Sequence, residues 1–236
     1  MNTGLVLALD FPRAKEALAL AEKLRGTVPW MKVGLELFTA EGPAMVRELK
    51  NMGFKVFLDL KFHDIPNTVK GAAKSASLLG ADLTTLHHAG GERMAGAALE
   101  GVREGAAAGG AATMLFAITI LTSTSPEEAG FSAEELPRAV AGKAREACEW
   151  GLAGVVCSGH EAAAVKDACG TDFFCLCPGI RLEAGGADDQ RRVMTPASAL
   201  AAGADFLVIG RPITAAPDPV AAARKALAAM GPQRNT

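Results

Sequence analysis

The feature that most constrains the fold is a repeated alternation of short apolar runs with longer stretches at helical spacing. Most of the apolar runs are continuous, which is typical of strands buried on both faces in a parallel sheet. Gly or Pro residues mark many of the boundaries between runs and helices. Strands are predicted at 5–9, 30–34, 56–58, 82–87, 113–119, 154–158, 173–177 and 206–209. Helices are predicted at 13–25, 44–52, 69–79, 91–108, 133–150, 161–168, 195–202 and 219–230.

This repetition predicts an α/β fold. Eight strand–helix units in 236 residues favour a closed (β/α)8 TIM barrel, formed as a single domain over residues 1–236. A doubly wound open sheet is the alternative, but it would not require eight regular repeats. In a barrel, the active site is expected at the carboxyl ends of the strands.

Composition narrows the possible partners and the compartment. With 24 basic and 26 acidic residues the formal net charge is -2, so we expect no nucleic-acid partner. We also expect no membrane partner, because no apolar run approaches the roughly 18 residues of a membrane helix. The amino-terminal residues lack the pattern of a signal peptide, and the five cysteines fall in apolar helix or strand patterns. These features predict a cytoplasmic protein with free thiols.

The chemistry is concentrated in the motif D-L-K-F-H-D-I-P-N-T, which follows the third predicted strand. Side chains alternate faces along a strand, so Asp59 and Lys61 are expected on one face. Asp64 adds a second carboxylate, and Asn67 and Thr68 are expected to cap the next helix. A lone acid–base pair more often ends a strand than acts on a substrate, but two carboxylates around an ammonium predict a poised electrostatic site.

Other polar residues interrupt the apolar strands at the same predicted rim. They are Asp10, Lys32, Thr122 and Arg211. Gly-Arg directly after the last strand is typical of a phosphate site, because glycine lets backbone N–H groups approach the anion and arginine adds charge. Pro178, Gly179 and Arg181 after the seventh strand, and Gln190 beyond them, are expected to contribute. The polar segment 181–192 is predicted to be a lid over the phosphate.

Three motifs resemble those of the orotidine 5′-phosphate decarboxylase family. They are the motif at 59–68, C-P-G-I-R at 177–181 and V-I-G-R-P at 208–212, and the resemblance extends from Leu5 to Pro219. It implies a carboxy-lyase that converts orotidine 5′-monophosphate to uridine 5′-monophosphate, the last step of de novo pyrimidine synthesis. It further implies a homodimeric barrel that works without a metal or a cofactor.

The resemblance also implies roles for single residues. Lys61 would protonate the C6 carbanion, Asp59 would lie beside the substrate carboxylate, and Lys32 would complete the charge array. The remaining assignments are Asp64, Ile65 and Thr68 in the partner subunit's site, Asp10 and Lys32 at the ribose, Thr122 at the pyrimidine, and Pro178, Arg181, Gln190, Gly210 and Arg211 around the phosphate.

One departure from the family pattern lies near the fourth strand. The chain has His87-His88-Ala89 where a single histidine and a small residue are usual, and Thr85 where an amide is frequent. Both histidines are interpreted as lying outside the charge array, and His63 is not expected to be a general base, because Lys61 already supplies the proton.

Two other readings stay open. Sugar-phosphate lyases such as hexulose-phosphate synthase or ketogulonate-phosphate decarboxylase share D-x-K-x-x-D but use magnesium, for which Glu36 is the nearby candidate ligand. A non-catalytic barrel that binds nucleotide phosphate would keep Gly210 and Arg211 but would not need Lys61.

Overall fold

The fold is a closed barrel of eight parallel strands in sequential order, which confirms the predicted (β/α)8 fold class. The structure is a computed structural model that describes residues 4–182 and 193–231. Its strands are β1 (Gly4–Ala8), β2 (Trp30–Val33), β3 (Lys55–Phe62), β4 (Leu83–His87), β5 (Met114–Ile118), β6 (Gly154–Val156), β7 (Phe174–Cys177) and β8 (Phe206–Ile209). The barrel closes where β1 pairs with β8.

Helices cover the outside of the barrel. They are α1 (Ala14–Leu24), α2 (Leu35–Glu41), α3 (Pro43–Asn51), α4 (Pro66–Leu78), α5 (Gly91–Ala107), α6 (Glu135–Glu149), α7 (Ala162–Cys169), α8 (Pro196–Ala201), α9 (Arg211–Thr214) and α10 (Pro219–Met230). Their inward faces and the outward faces of the strands bury the larger hydrophobic core. No helix in the described ranges combines the length and the apolar character that a membrane span requires.

A second, smaller core fills the barrel interior. Aromatic rings form its lower layer, with Trp30 and Phe116 each set edge-on to Phe206, at centroid distances of 5.4 and 6.0 Å. Gly154 makes room for this layer, since a β-carbon there would lie 2.9 Å from the ring of Phe116. The filled lower half leaves the upper half, at the carboxyl ends of the strands, as the place for a site.

Three local features differ from the sequence predictions. The short helices α2 and α9 were not predicted, because two turns or fewer, with one buried side chain each, leave too little periodicity to recognise. Strand β3 continues into the motif as far as Phe62, whereas the predicted strand ended at Leu58, before the motif. The prediction that Asn67 and Thr68 cap the next helix was wrong: α4 begins at Pro66, after Ile65, without a side-chain cap.

Candidate active site

A cleft of about 320 Å³ opens at the carboxyl ends of the barrel strands. Its lining combines polar groups at the mouth with apolar side chains such as Phe57, Ile118 and Leu176 deeper in the barrel. Nine residues predicted from the sequence line this one cleft: Asp10, Lys32, Asp59, Lys61, Thr122, Pro178, Arg181, Gly210 and Arg211. Residues from six separate strand ends are therefore brought together.

Charges of alternating sign run along one wall of the cleft. Lys32 Nζ lies 2.9 Å from Asp10 Oδ1 and 4.0 Å from Asp59 Oδ2. Lys61 Nζ donates to the same Asp59 oxygen at 2.7 Å. The side chains of Lys32 and Asp59 are each 11% exposed, so their charges are weakly screened by water. Asp59 thus sits between two ammonium groups in a largely desolvated position.

The backbone beneath this array is distorted. Lys61 has a φ of +54°, the one positive value among the non-glycine residues that the structure describes. The pairing of β3 with β4 also shifts register between Leu58 and Phe62. The regular alternation of side chains is therefore interrupted here. That alternation was the basis on which Asp59 and Lys61 were predicted to share a face. Their side chains are still in contact, because the Lys61 ammonium donates a hydrogen bond to the Asp59 carboxylate.

Two positioning features near the array were missed from the sequence. A β-carbon at Gly34 would lie 2.7 Å from Lys32 Nζ, so glycine leaves room for that ammonium. Thr85, noted from the sequence only as a departure, donates through Oγ1 to Asp59 Oδ1 at 2.8 Å. Thr85 lies two residues after Leu83, which faces the barrel interior, so the spacing already indicates that Thr85 faces inwards as well. Ser123 also lines the cleft beside Thr122.

Two arginines stand at the opposite side of the cleft from the strand β3 residues. Arg211 follows β8 directly and Arg181 follows β7, so both lie where barrels hold phosphate. Paired backbone groups hold the Arg181 segment in place: its N–H donates to Met194 O at 3.0 Å, and Met194 N–H donates to Gly179 O at 3.2 Å. Gln190 and most of the predicted lid, residues 183–192, lie outside the described residues.

Asp64, Ile65 and Thr68 do not line the cleft of their own chain. Asp64 accepts a hydrogen bond from the Ile65 N–H at 2.7 Å, and Ile65 is 67% exposed. An isoleucine this exposed at the rim, next to a carboxylate, is available to a neighbouring chain. The placement is compatible with the expectation that these residues serve a partner subunit.

The histidines have separate environments. His87 packs against His63, with ring centroids 5.5 Å apart, and burial, with help from nearby His63 and Lys61, lowers the pKa of His87. His88 is buried away from the cleft, stacked on Trp150 at 4.8 Å. Its Nε2 lies 3.0 Å from Glu146 Oε2, and burial lowers its pKa as well.

Glu36, the carboxylate considered as a magnesium ligand, is exposed in the first turn of α2 and does not line the cleft. Over residues 4–182 and 193–231, no three His, Cys, Asp or Glu side chains cluster in a way that could hold a metal ion. The cleft presents the carboxylates of Asp10 and Asp59 together with ammonium and guanidinium groups, and the cationic groups can bind anions.

Fold and site together define a (β/α)8 barrel protein with an array of positive and negative charges in a cleft at the carboxyl ends of its strands. Residues 3–226 match the family model described as Orotidine 5′-phosphate decarboxylase / HUMPS family. The chain belongs to this family.

Two curated relatives and one solved structure agree with the family assignment. A protein named orotidine 5′-phosphate decarboxylase from Nitratidesulfovibrio vulgaris (strain DP4) is 56% identical over 231 residues, covering 98% of each chain. One of the same name from Maridesulfovibrio salexigens is also 56% identical, over 96% of this chain and 98% of its own. The crystal structure of the Lactobacillus acidophilus orotidine 5′-phosphate decarboxylase superposes with a TM-score of 0.85 at 34% identity, over 98% of this chain and all of that one. The relatives' name denotes an enzyme of the carboxy-lyase class, and this confirms the enzyme class predicted here.

Proposed function

We propose that this protein decarboxylates orotidine 5′-monophosphate to uridine 5′-monophosphate and carbon dioxide, the last step of de novo pyrimidine synthesis. The observation that carries the proposal is the array Asp10–Lys32–Asp59–Lys61 on one wall of a cleft whose other side holds two arginines. A nucleotide with a phosphate at one end and a carboxylate at the other matches both groups of charges. The relatives at 56% identity carry the name of this activity.

The reaction breaks the bond between C6 and the carboxyl carbon. Carbon dioxide leaves, the electron pair stays on C6, and the Lys61 ammonium transfers a proton to that carbon. Groups that accelerate this step must favour the carbanion over the starting carboxylate. Lys61 does so by its charge, and Asp59, 2.7 Å from Lys61, repels the carboxylate until it departs. We infer that neither a metal nor a cofactor takes part.

The other end of the substrate supplies binding energy. Arg181, Gly210 and Arg211 would hold the phosphate, with Pro178 beside it and Gln190 from the segment beyond. Asp10 and Lys32 would bind the ribose hydroxyls, and Thr122 the edge of the pyrimidine. Binding far from the reacting carbon favours catalysis by fixing C6 against Lys61.

We further propose a cytoplasmic homodimer in which Asp64, Ile65 and Thr68 of each chain complete the partner's site. The exposure of these three residues and their position outside their own cleft support this assembly. The free thiols of all five cysteines support a reducing compartment.

The test is the ultraviolet absorbance of orotidine 5′-monophosphate mixed with purified protein, with and without a strong chelator. We expect a fall in the orotate-type absorbance that the chelator leaves unchanged. Turnover that the chelator abolishes would instead favour a magnesium-dependent reaction. No absorbance change with folded protein would refute the proposal and direct the search to sugar phosphates.

A further inference from the structure

Thr85 joins the last two residues of the charge array, Asp59 and Lys61, through a single hydroxyl. It lies in the middle of β4, fully buried, on the face that points into the barrel. Its Oγ1 accepts a hydrogen bond from the Lys61 backbone N–H at 3.1 Å and donates one to Asp59 Oδ1 at 2.8 Å. The inference drawn from this geometry rests on the proposed decarboxylase function.

The direction of both hydrogen bonds is fixed by chemistry. A backbone N–H can only donate, so the Thr85 oxygen must accept from Lys61. The one hydroxyl proton is then left for Asp59, whose ionised carboxylate can only accept. The same carboxylate accepts from Lys61 Nζ through its other oxygen, Oδ2. The contacts therefore form a closed ring. It runs from the Lys61 backbone N–H to the Thr85 hydroxyl, on to the Asp59 carboxylate, and back to Lys61 through its ammonium group.

This ring lies at a point where the regular hydrogen bonding between β3 and β4 is interrupted. The β3–β4 register shifts between Leu58 and Phe62, which removes Lys61 from the regular ladder. Its φ of +54° is a conformation that a residue with a β-carbon adopts only when the surroundings impose it. The Thr85 hydroxyl satisfies the Lys61 N–H at this point, so it takes the place of the missing ladder partner.

We propose that Thr85 is a positioning residue, which holds Asp59 and the left-handed backbone of Lys61 so that carboxylate and ammonium face the reacting carbon. It does not touch the substrate itself. Thr85 is absent from the cleft lining, and its contacts run to the two residues that form the reacting end.

The neighbouring residue provides a matched control. Thr84 is also fully buried on β4, and its Oγ1 donates to the β3 carbonyl of Leu58 at 2.7 Å. It points to the opposite face of the sheet, away from the cleft. Thr84→Val and Thr85→Val therefore remove the same hydroxyl, with the same change in shape, from the same strand and the same degree of burial.

The experiment compares Thr85→Val, Thr85→Ser and Thr84→Val by kcat and KM for orotidine 5′-monophosphate and by Kd for uridine 5′-monophosphate. The product lacks only the carboxylate, so its affinity reports on the contacts to the phosphate, the ribose and the pyrimidine, and not on those to the carboxylate. For Thr85→Val we expect kcat to fall about 10- to 100-fold. Product affinity should stay within about threefold, because the phosphate contacts are unchanged. Thr85→Ser, which keeps the hydroxyl, should recover kcat to within about threefold of the wild type.

Each other result overturns the proposal. Wild-type kcat in Thr85→Val would show that the hydroxyl is dispensable. A general packing role would be indicated by any of three results. These are equal losses of kcat in Thr85→Val and Thr84→Val, a product affinity that falls together with kcat, and failure of Thr85→Ser to recover activity. An inactive wild-type protein would contradict the proposed function itself, whereas these outcomes with an active wild type contradict the role of Thr85 alone.

Discussion

Asp59 is surrounded by groups that are costly to assemble in a folded protein. Its side chain is largely removed from water, 2.7 Å from one ammonium and 4.0 Å from another. Desolvation of such clusters offsets much of their mutual attraction, and apolar residues of similar size often stabilise a fold more. The array is therefore better explained by what it does to a bound anion than by stability. In the proposed reaction, this geometry would fix the electric field at the reacting carbon before the substrate arrives.

The first prediction concerns Lys61, which supplies both charge and proton in the proposed reaction. We expect Lys61→Ala to lower kcat by about 10⁴-fold or more, since general acid catalysis and charge stabilisation are lost together. Affinity for uridine 5′-monophosphate should be partly retained, because Arg181 and Arg211 are untouched. Steady-state kinetics and product titration measure the two quantities.

A lysine on the same strand serves as the control. Lys55 begins β3 at the opposite end of the barrel, where its Nζ pairs with Asp82 at 2.9 Å. Lys55→Ala should keep kcat within about twofold, because exposed pairs contribute roughly 0–1 kcal/mol and this one is far from the cleft. Near-normal turnover by Lys61→Ala would eliminate the assigned mechanism.

At the level of elements, helices α4 and α5 approach each other closely through small residues. A β-carbon at Gly101 of α5 would lie only 2.2 Å from the backbone oxygen of Lys70 in α4. We expect Gly101→Ala to lower the free energy of unfolding by about 1–3 kcal/mol, since the helices must separate to admit the methyl group. Chemical denaturation followed by circular dichroism gives the value.

The same substitution elsewhere in α5 should act in the opposite direction. Gly96 is exposed, and nothing lies within 4 Å of where its β-carbon would be. Gly96→Ala should raise the free energy of unfolding by up to about 1 kcal/mol, the usual helix preference for alanine. If both variants shifted stability alike, helix propensity rather than the close contact would explain Gly101.

We expect His88 to make the stability of the protein depend on pH, at the point where its ring packs against Trp150 beside α6. Burial lowers its pKa in the folded state, with Lys143 adding to the effect and Glu146 opposing it. The pKa of histidine in the unfolded chain is about 6.5. As the pH falls below this value, the unfolded chain binds a proton that the folded chain does not bind, so the free energy of unfolding decreases. His88→Phe keeps a ring against Trp150 but removes this proton, and should reduce that decrease.

The measurement is urea unfolding of both proteins from pH 8.5 to 5.5. One histidine can contribute at most about 1.4 kcal/mol per pH unit. Burial also lowers the pKa of His87, so a smaller decrease persists in the variant. Between pH 8.5 and 7.5 the two curves should run parallel. Parallel curves down to pH 5.5 would show that His88 does not titrate on unfolding.

The accuracy of the sequence predictions differs between the regular strands and the distorted end of β3. The barrel followed from regular repetition, and nine predicted residues line one cleft because carboxyl ends of parallel strands must meet at one rim. The distortion at Lys61 could not be predicted, since no rule of strand periodicity produces a positive φ in a lysine. Thr85 was not predicted as a site residue, and its proposed role depends on that distortion, because its hydroxyl accepts a hydrogen bond from the Lys61 N–H there.

For the whole molecule, one chain provides a cleft but leaves part of the predicted site facing outwards. The own-chain array holds two carboxylates and two ammonium groups, and the third predicted carboxylate, Asp64, lies outside the cleft. If Asp64 completes a partner's array, each site draws Lys61 from one chain and Asp64 from the other. Exposed Ile65 then becomes buried in the interface on assembly.

This arrangement predicts complementation between two impaired variants. Lys61→Ala and Asp64→Asn should each lose at least about 100-fold in kcat as homodimers. In a mixed dimer, one site carries both substitutions, while the other has an intact Lys61 and receives an intact Asp64. Random exchange of equal amounts should therefore restore about a quarter of the wild-type sites. Activity is assayed after unfolding and refolding of the mixture.

The control mixture pairs Lys61→Ala with Asp59→Asn, two residues that contact each other within one chain at 2.7 Å. Every site in such a mixed dimer lacks one of the two, so no activity should return. Recovery in the first mixture and none in the second would place Asp64 in the partner's site, because no arrangement within single chains gives that difference. If neither mixture recovers while native mass spectrometry detects mixed dimers, Asp64 does not act across the interface. The exposed rim at Ile65 would then need another explanation.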